Sequence, residues 1–196
     1  MNHDSRVPVD AEAPVEILHA GQWLTLKQRG RWEFVERNNP QGAVIIVAVT
    51  PDDCLLFVEQ YRVPILKFTI EMPAGLIGDA GHADDDSVAG AARRELEEET
   101  GWTCARVVPL HLGPSSAGMS TEMMYFVRAL ELRKVGEGGG DATENIVVHE
   151  VPRNKAADWL HAMSGKGYSI DPKLFAGLWF LEHAREPGGV DQGASA

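Results

Sequence analysis

The chain has 196 residues, of which 44% are hydrophobic, and a formal net charge of −11. This length suits one domain with a small appended lobe, and the hydrophobic content is sufficient for a sizeable core. The negative charge argues against a nucleic-acid surface or an anionic membrane as partner. The longest apolar run, residues 43–49, is too short to cross a bilayer, and two cysteines without a signal-type segment predict a cytoplasmic protein.

The first part of the chain is predicted to form a small antiparallel lobe behind a tail. Residues 1–15 are polar with two prolines and are predicted to be a disordered tail. Three short alternating runs, at 17–20, 23–27 and 32–37, indicate two or three strands in a lobe spanning residues 16–40. Such a sheet buries little surface by itself, so the main domain or a second subunit has to cover it.

The main domain is predicted to span residues 41–186, followed by a polar tail at 187–196. Apolar patterns predict strands at 43–49, 54–62, 68–72, 105–112, 123–132 and 144–151, and helices at 89–100, 155–163 and 171–184. The order of these elements predicts an α/β fold, an α/β/α sandwich in which helices cover both faces of a mixed sheet. The glycine-rich segment 136–141 is expected to be a flexible loop. It is not a phosphate-binding loop, because it lacks the lysine and the following helix of such a motif.

The helix predicted at 89–100 carries an unusual acidic face. At 100° per residue Glu95, Glu98 and Glu99 share one side, whereas Glu97 points away. A run of charge is most often a solvated face, yet carboxylates near a helix C-terminus are electrostatically unfavourable. The alternative is that these oxygen atoms converge on a hard divalent cation such as Mg²⁺ or Mn²⁺.

Two adjoining segments resemble a known family. Residues 94–102, Arg-Glu-Leu-Glu-Glu-Glu-Thr-Gly-Trp, resemble the second half of the Nudix box. Residues 71–77, Glu-Met-Pro-Ala-Gly-Leu-Ile, resemble the lead-in of the branch that acts on ADP-ribose and other nucleoside diphosphate sugars. The first half of the box differs, because Asp86 stands where glutamate is usual and Ala80 where glycine is usual. With Gly75 as the box glycine, the loop before the helix is five residues longer than the family pattern.

The resemblance implies a Nudix-type fold and a metal-dependent pyrophosphohydrolase. Its substrate would be ADP-ribose or another nucleoside diphosphate sugar, cleaved to a nucleoside monophosphate and a sugar phosphate. Two or three Mg²⁺ or Mn²⁺ ions would be held by the carbonyl of Ala74 and the carboxylates of Glu95, Glu98 and Glu99. The catalytic residues implied are Glu122, which accepts a proton or positions water, Glu98, and Arg94, which orients the box glutamates.

The resemblance also implies substrate-binding residues outside the box. Arg62 follows Gln-Tyr in a phrase typical of the branch, and its planar guanidinium suits a phosphate. Trp23 and Trp32 match tryptophans that stack on the base, with one ring from each subunit of a homodimer formed through the N-terminal lobe. Arg37 matches an arginine that contacts the nucleotide. Without the resemblance, strand tryptophans are more often packing residues and a strand-end arginine is more often solvated.

Two other functions fit the same motifs. The first is a Nudix pyrophosphatase for dinucleotides, such as dinucleoside polyphosphates, coenzyme A, NADH or FAD, because the boxes of these enzymes look alike. The second is a catalytically weak Nudix-fold module that binds a ligand, an idea motivated by the altered first half of the box. Ala117, which replaces a proline often associated with ADP-ribose enzymes, leaves the choice of sugar open.

Overall fold

The computed structural model describes residues 6–38, 41–78, 87–140 and 144–183. The strands within these ranges are β1 (Val15–Ala20), β2 (Leu24–Arg29), β3 (Trp32–Arg37), β4 (Gly42–Ala48), β5 (Cys54–Arg62), β6 (Lys67–Glu71), β7 (Ala74–Ile77), β8 (Trp102–Pro114), β9 (Met123–Lys134), β10 (Val147–Pro152) and β11 (Ser169–Ile170). The α-helices there are α1 (Val88–Thr100), α2 (Ala156–Gly165) and α3 (Pro172–His183). Short 3₁₀ turns occur at Val9–Glu12, Val63–Ile65 and Arg153–Lys155.

The strands form three sheets. Strands β1, β2 and β3 make an antiparallel sheet of their own, as expected for the N-terminal lobe. A second sheet has the order β7-β4-β9-β8, with β4 and β9 parallel and the other pairs antiparallel. A third has the order β10-β5-β6-β11, with only β6 and β11 parallel. The mixed pairing is confirmed, although two four-stranded sheets replace the single sheet that was predicted.

Helices cover the two faces of this β layer. Successive side chains of a strand point to opposite faces, and in β4 both sets are buried. Val44 and Ile46 pack in the cluster that contains Leu96 of α1, whereas Ile45 and Val47 pack in the cluster that contains α2 and α3. The predicted α/β/α sandwich is therefore confirmed.

The structure differs from the sequence prediction at the beginning of the chain. Residues 9–12 form a turn of 3₁₀ helix, where a disordered tail was predicted. The backbone N–H of Arg31 donates to Asp10 Oδ1 at 3.2 Å, and Arg29 Nη1 donates to the carbonyl of Ala11 at 3.3 Å. These contacts attach the segment to the lobe.

Several predicted features lie outside the described residues. They are the altered box positions Ala80 and Asp86, the predicted lobe boundary at residue 40, and the tail at 187–196. The division into a lobe and a main domain therefore stays a prediction. Within the described residues no helix is both long and apolar enough to cross a membrane.

Specific residues cap helix α1 at both ends. Ser87 precedes it, and the side-chain oxygen of Ser87 accepts from the backbone N–H of Gly90 at 2.9 Å, which satisfies an otherwise unpaired donor. Gly101 ends it in a left-handed conformation, with φ of 72°, as the sequence predicted. The last turn, which carries Glu98 and Glu99, contacts β7 through the hydrogen bond from the N–H of Ala74 to Glu99.

Candidate active site

A cleft of about 880 Å³ opens between α1, β7 and the beginning of α3. It brings together six of the residues predicted from the sequence: Arg37, Arg62, Ala74, Glu95, Glu99 and Glu122. Glu71, Glu144 and Lys173 also line it. Carboxylates and cationic side chains therefore share one cavity, as a site for a metal-bound polyanion requires.

Glu99 is the most deeply buried carboxylate of the predicted metal-binding set, with 3% of its surface exposed. Its Oε2 accepts a hydrogen bond from the backbone N–H of Ala74 at 3.0 Å. Burial raises the pKa of Glu99 well above its ordinary value, and the negative charges of Glu95 and Glu144 raise it further. The Ala74 hydrogen bond and the charge of Arg62 oppose this rise. The charges of Glu95 and Glu144 thus act on a carboxylate that is itself almost inaccessible to solvent.

Glu95 reaches the cleft because residue 75 has no side chain. A Cβ at Gly75 would lie 1.8 Å from Cδ of Glu95, so the glutamate crosses β7 in space that any other residue would fill. Arg94 Nη1 lies 2.8 Å from Oε1 of Glu95. Arg94 Nη2 donates to the carbonyl of Leu76 at 3.2 Å, which ties α1 to β7. Arg94 therefore contacts Glu95 and β7 at once.

Glu98 is placed differently from Glu95 and Glu99. Its side chain is 47% exposed and pairs with Arg94 Nη1 at 3.3 Å, outside the lining of the cleft. The predicted common face therefore splits into one buried carboxylate (Glu99), one partly buried carboxylate (Glu95) and one at the solvent edge (Glu98). The structure does not gather Glu98 with the rest of the predicted site.

Arg62 meets a buried partner that sequence reasoning did not assign to the site. Its Nε and Nη2 each donate to a carboxylate oxygen of Glu71 at 2.7 Å, a two-point interaction that fixes the guanidinium plane. Burial alone would raise the pKa of Glu71, but the hydrogen bond and charge of Arg62, with a hydrogen bond from Thr69, lower it. Arg62 is thus held in the cleft by Glu71.

Arg37 and Glu122 are also paired. Arg37 Nε lies 2.9 Å from Oε1 of Glu122, although the two residues are far apart in sequence. The N–H of Val35 donates to the carbonyl of Met119 at 2.8 Å, and the N–H of Thr121 donates to the carbonyl of Val35 at 3.2 Å. The loop that carries Glu122 is therefore joined to β3 of the N-terminal lobe.

The two predicted base-stacking tryptophans lie outside the cleft. Trp23 is 69% exposed and directly precedes β2, and Trp32 is 50% exposed at the start of β3. Trp32 lines a second cavity of about 570 Å³, between the lobe and residues 117–121. Because Leu24 pairs with Arg37 and Arg29 pairs with Trp32, the tryptophans lie at opposite ends of the β2–β3 hairpin. One chain does not bring both rings to one base.

Three cleft residues were missed by sequence reasoning. Glu71 could have been noticed as a carboxylate at the end of an otherwise apolar strand. Glu144 begins a segment predicted as strand, and nothing in the local pattern indicates that it reaches α1. Lys173 lies in the first turn of α3, and its Nζ contacts Asp171, whose Oδ1 also accepts from the backbone N–H of Lys173 at 2.8 Å.

Comparison with known proteins agrees with this arrangement. Residues 39–167 match the NUDIX domain family. The chain belongs to the Nudix family. The match includes α1 and every strand from β4 to β10, whereas the lobe strands β1–β3 and helix α3 lie outside it.

Individual relatives of the chain carry several names. The chain is 33% identical over 160 residues to a GDP-mannose pyrophosphatase of Yersinia enterocolitica, covering 80% of this chain and 78% of the relative. It is 33% identical over 120 residues to the methanol dehydrogenase activator of Bacillus methanolicus, covering 61% and 62%. A solved structure described as an ADP compounds hydrolase shares the fold, with a TM-score of 0.66 at 23% identity and 86% and 90% coverage. Across three of the curated relatives the chain spans 62%, 47% and 49% of their length.

Nudix hydrolases generally need divalent metal ions, and the donor set of this site fits that requirement. Among the described residues, no three His, Cys, Asp or Glu side chains are already grouped closely enough to hold a metal ion. Glu95 and Glu98 face Arg94, and Glu99 faces the N–H of Ala74. Carboxylate and carbonyl oxygens are the ligands that Mg²⁺ and Mn²⁺ prefer, and the buried negative charge around Glu99 favours a cation.

Proposed function

We propose that the protein hydrolyses the pyrophosphate bond of ADP-ribose or another nucleoside diphosphate sugar. The products would be a nucleoside monophosphate and a sugar phosphate. The observation that carries this proposal is the cleft in which Glu95 and Glu99 of the Nudix box meet Arg37, Arg62 and Glu122. A diphosphate needs this combination, because its negative charge repels a nucleophile unless cations neutralise it.

Two or three Mg²⁺ or Mn²⁺ ions are the proposed cofactor. The proposed ligands are the carbonyl of Ala74 and the carboxylates of Glu95, Glu98 and Glu99. Bound divalent ions neutralise charge on a diphosphate and make a water molecule more acidic. Arg94 holds Glu95 and Glu98 while the site is formed, because it contacts both of them.

The remaining residues bind the substrate and move a proton. Glu122 would accept the proton of the attacking water, and Arg37 keeps its carboxylate in place by the 2.9 Å contact. Arg62 would contact the diphosphate, with its guanidinium plane fixed by Glu71. Arg37, which lies on the lobe, links binding of the nucleotide to the position of Glu122.

The nucleotide base is proposed to stack on Trp23 of one subunit and Trp32 of the other in a homodimer. The large apolar side chains of the lobe are exposed, which is typical of a surface that binds a partner. They include Val15, Ile17, Leu18, Trp23, Leu24 and Trp32. Since both cysteines are free, a reducing cytoplasm is the proposed location.

Product analysis tests the activity. The protein would be incubated with Mg²⁺ or Mn²⁺ and a panel of ADP-ribose, ADP-glucose, GDP-mannose, UDP-glucose, NADH, diadenosine polyphosphate and coenzyme A. We expect a nucleoside diphosphate sugar to be preferred, with a nucleoside monophosphate and a sugar phosphate as products. The preferred member identifies the sugar and the base.

Other outcomes of the same panel select the alternatives. Preference for NADH, coenzyme A or a dinucleoside polyphosphate would replace the sugar substrate by a dinucleotide. No turnover with either metal would favour a ligand-binding module, a role compatible with the relative named as an activator.

A further inference from the structure

The glycine-rich segment 136–140, named here the glycine tract, contacts the C-terminal end of α1. The N–H groups of Gly139 and Gly140 donate to the carbonyls of Glu99 at 2.9 Å and Glu98 at 3.0 Å. The last carbonyls of a helix have no partner within the helix, so these bonds satisfy two of them. The glutamates that precede the end of α1 are therefore held through their own backbone.

The contact is closest at Gly138. A Cβ at this position would lie 2.5 Å from the carbonyl carbon of Thr100 and 2.6 Å from the carbonyl oxygen of Glu99. These are backbone atoms, so the space cannot be opened by a change of side-chain rotamer. Any residue larger than glycine would push the tract and the end of α1 apart.

The other end of the tract leads to Glu144. A Cβ at Gly140 would lie 2.6 Å from Oε2 of Glu144, so that carboxylate folds back against the tract. Glu144 lines the cleft together with Glu95 and Glu99. One segment therefore contacts the backbone of two box glutamates and the side chain of a third acid.

We propose that the glycine tract is a positioning element of the metal site, setting the end of α1 and the Glu144 carboxylate relative to each other. This proposal rests on the proposed metal-dependent function. If the tract were only a connecting loop, a substitution in it would leave metal affinity unchanged. The proposal instead predicts that such a substitution weakens metal binding while the protein still folds. Substitution of residues that orient metal ligands without binding the metal typically lowers metal affinity about 10–100-fold.

A matched control lies outside the tract. Gly138 and Gly167 both have left-handed backbone, with φ of 73° and 94°, so alanine strains both positions. Gly167 lies between α2 and β11, outside the cleft lining, and a Cβ there would meet nothing within 4 Å. The difference between Gly138→Ala and Gly167→Ala therefore isolates the push on α1.

The test measures Mn²⁺ binding to the full chain without substrate. The amount of free Mn²⁺ is determined from its electron paramagnetic resonance signal. We expect Gly138→Ala to weaken Mn²⁺ binding by about 10-fold or more, with Gly167→Ala close to wild type. Circular dichroism would compare the melting temperatures of the two variants. In turnover assays, Gly138→Ala should raise the Mg²⁺ concentration for half-maximal rate more than it lowers the rate at saturating Mg²⁺.

Three outcomes would overturn the proposal. Wild-type Mn²⁺ affinity in Gly138→Ala would make the tract a structural loop only, and so would equal weakening in both variants. If Gly138→Ala does not fold, Gly140→Ala is the second variant, because its Cβ would lie 2.6 Å from Oε2 and 2.7 Å from Cβ of Glu144. Unchanged Mn²⁺ affinity in that variant would contradict the proposal. Absence of Mn²⁺ binding by the wild type would instead overturn the metal-dependent function, and this proposal with it.

Discussion

Glu99 is the residue on which the proposed chemistry most depends. Its carboxylate is almost fully buried and surrounded by other acids, so a neutral isostere removes an unfavourable charge when no metal is bound. We expect Glu99→Gln to lower kcat by on the order of 100-fold or more, since second-shell changes at metal sites alone cost about 10–100-fold. The melting temperature should stay the same or rise. The measurements are steady-state kinetics with Mg²⁺ and thermal unfolding.

Glu97→Gln is the matched control for this prediction. Glu97 lies in the same helix turn but is exposed and points away from the cleft. Its replacement should leave kcat unchanged. An unchanged rate in Glu99→Gln would refute the metal-binding role, and an equal loss in both variants would indicate a general effect of charge on α1.

The Glu71–Arg62 pair predicts a pH dependence of stability. Since the pKa of Glu71 is lowered from its usual 4.5 in the folded protein, the ionised pair stabilises the fold above pH 4.5. That contribution is lost as the pH falls through the lower, folded pKa. We expect the difference in free energy of unfolding between wild type and Glu71→Gln to be largest above about pH 5. Urea unfolding at a series of pH values measures it.

The competing expectation is that the difference in free energy of unfolding between wild type and Glu71→Gln does not change with pH. Such a result would mean that Glu71 stabilises the fold by packing alone, and that its carboxylate is not ionised against Arg62. Arg62→Lys provides a second check, because an ammonium group cannot make the two-point contact seen with Glu71. The pH dependence should then be weaker than in the wild type.

At the scale of secondary structure, the strand β7 and helix α1 form the site together. The sequence predicted α1 almost to the residue, because Ala, Leu, Glu and Arg favour helix and Gly101 stops it. Strand β7 was not predicted, since four residues beginning Ala-Gly after a proline give no strand periodicity. The contacts of the glycine tract were also not predicted, because Gly139 and Gly140 bond to carbonyls of a helix that is distant in sequence.

The packing of α1 against β7 gives a prediction at Gly75. Its Cβ would collide with Cδ and Oε1 of Glu95, at 1.8 Å and 2.0 Å, so Gly75→Ala forces this side chain into another rotamer. We expect activity to fall by about 10-fold or more, because Glu95 then leaves its place in the metal-binding set. The loss of stability should be smaller, since a side chain rather than backbone moves. Kinetics and thermal unfolding would be compared.

Gly165→Ala serves as the control for this substitution. An added Cβ there meets nothing within 4 Å, so neither activity nor the arrangement of the cleft should change. Full activity in Gly75→Ala would show that Glu95 can serve from another position, and that the absence of a side chain at residue 75 has no catalytic importance.

At the scale of the whole molecule, sequence reasoning identified the family and the core layers but not the connections between parts. The box helix and the alternating strands are local patterns, and both were confirmed. The pairs Arg37–Glu122 and Arg62–Glu71 join different elements, and no local pattern predicts which partner a charged side chain meets. The lobe and α3 lie outside the family match, although both contribute residues to the cleft.

The separation of Trp23 and Trp32 leads to a prediction about the dimer. Residues 24 and 29 of β2 mark the two ends of the hairpin, about 17 Å apart at about 3.4 Å per residue, which is too far for two rings to hold one base. Trp23→Ala and Trp32→Ala should each raise KM more than they lower kcat. If each base site takes one tryptophan from each chain, a mixed dimer of the two variants has one intact site and one doubly altered site.

Mixing the two variants therefore tests shared sites directly. After equal amounts are unfolded and refolded together, random pairing should restore wild-type KM to about a quarter of all sites. Size-exclusion chromatography with light scattering would establish that the mixture is dimeric. No recovery of low-KM activity in a confirmed mixed dimer would mean that each base site is built within one chain. A fully active monomer would contradict the proposal that the lobe forms a dimer interface. The exposed tryptophans of the lobe would then need a different explanation.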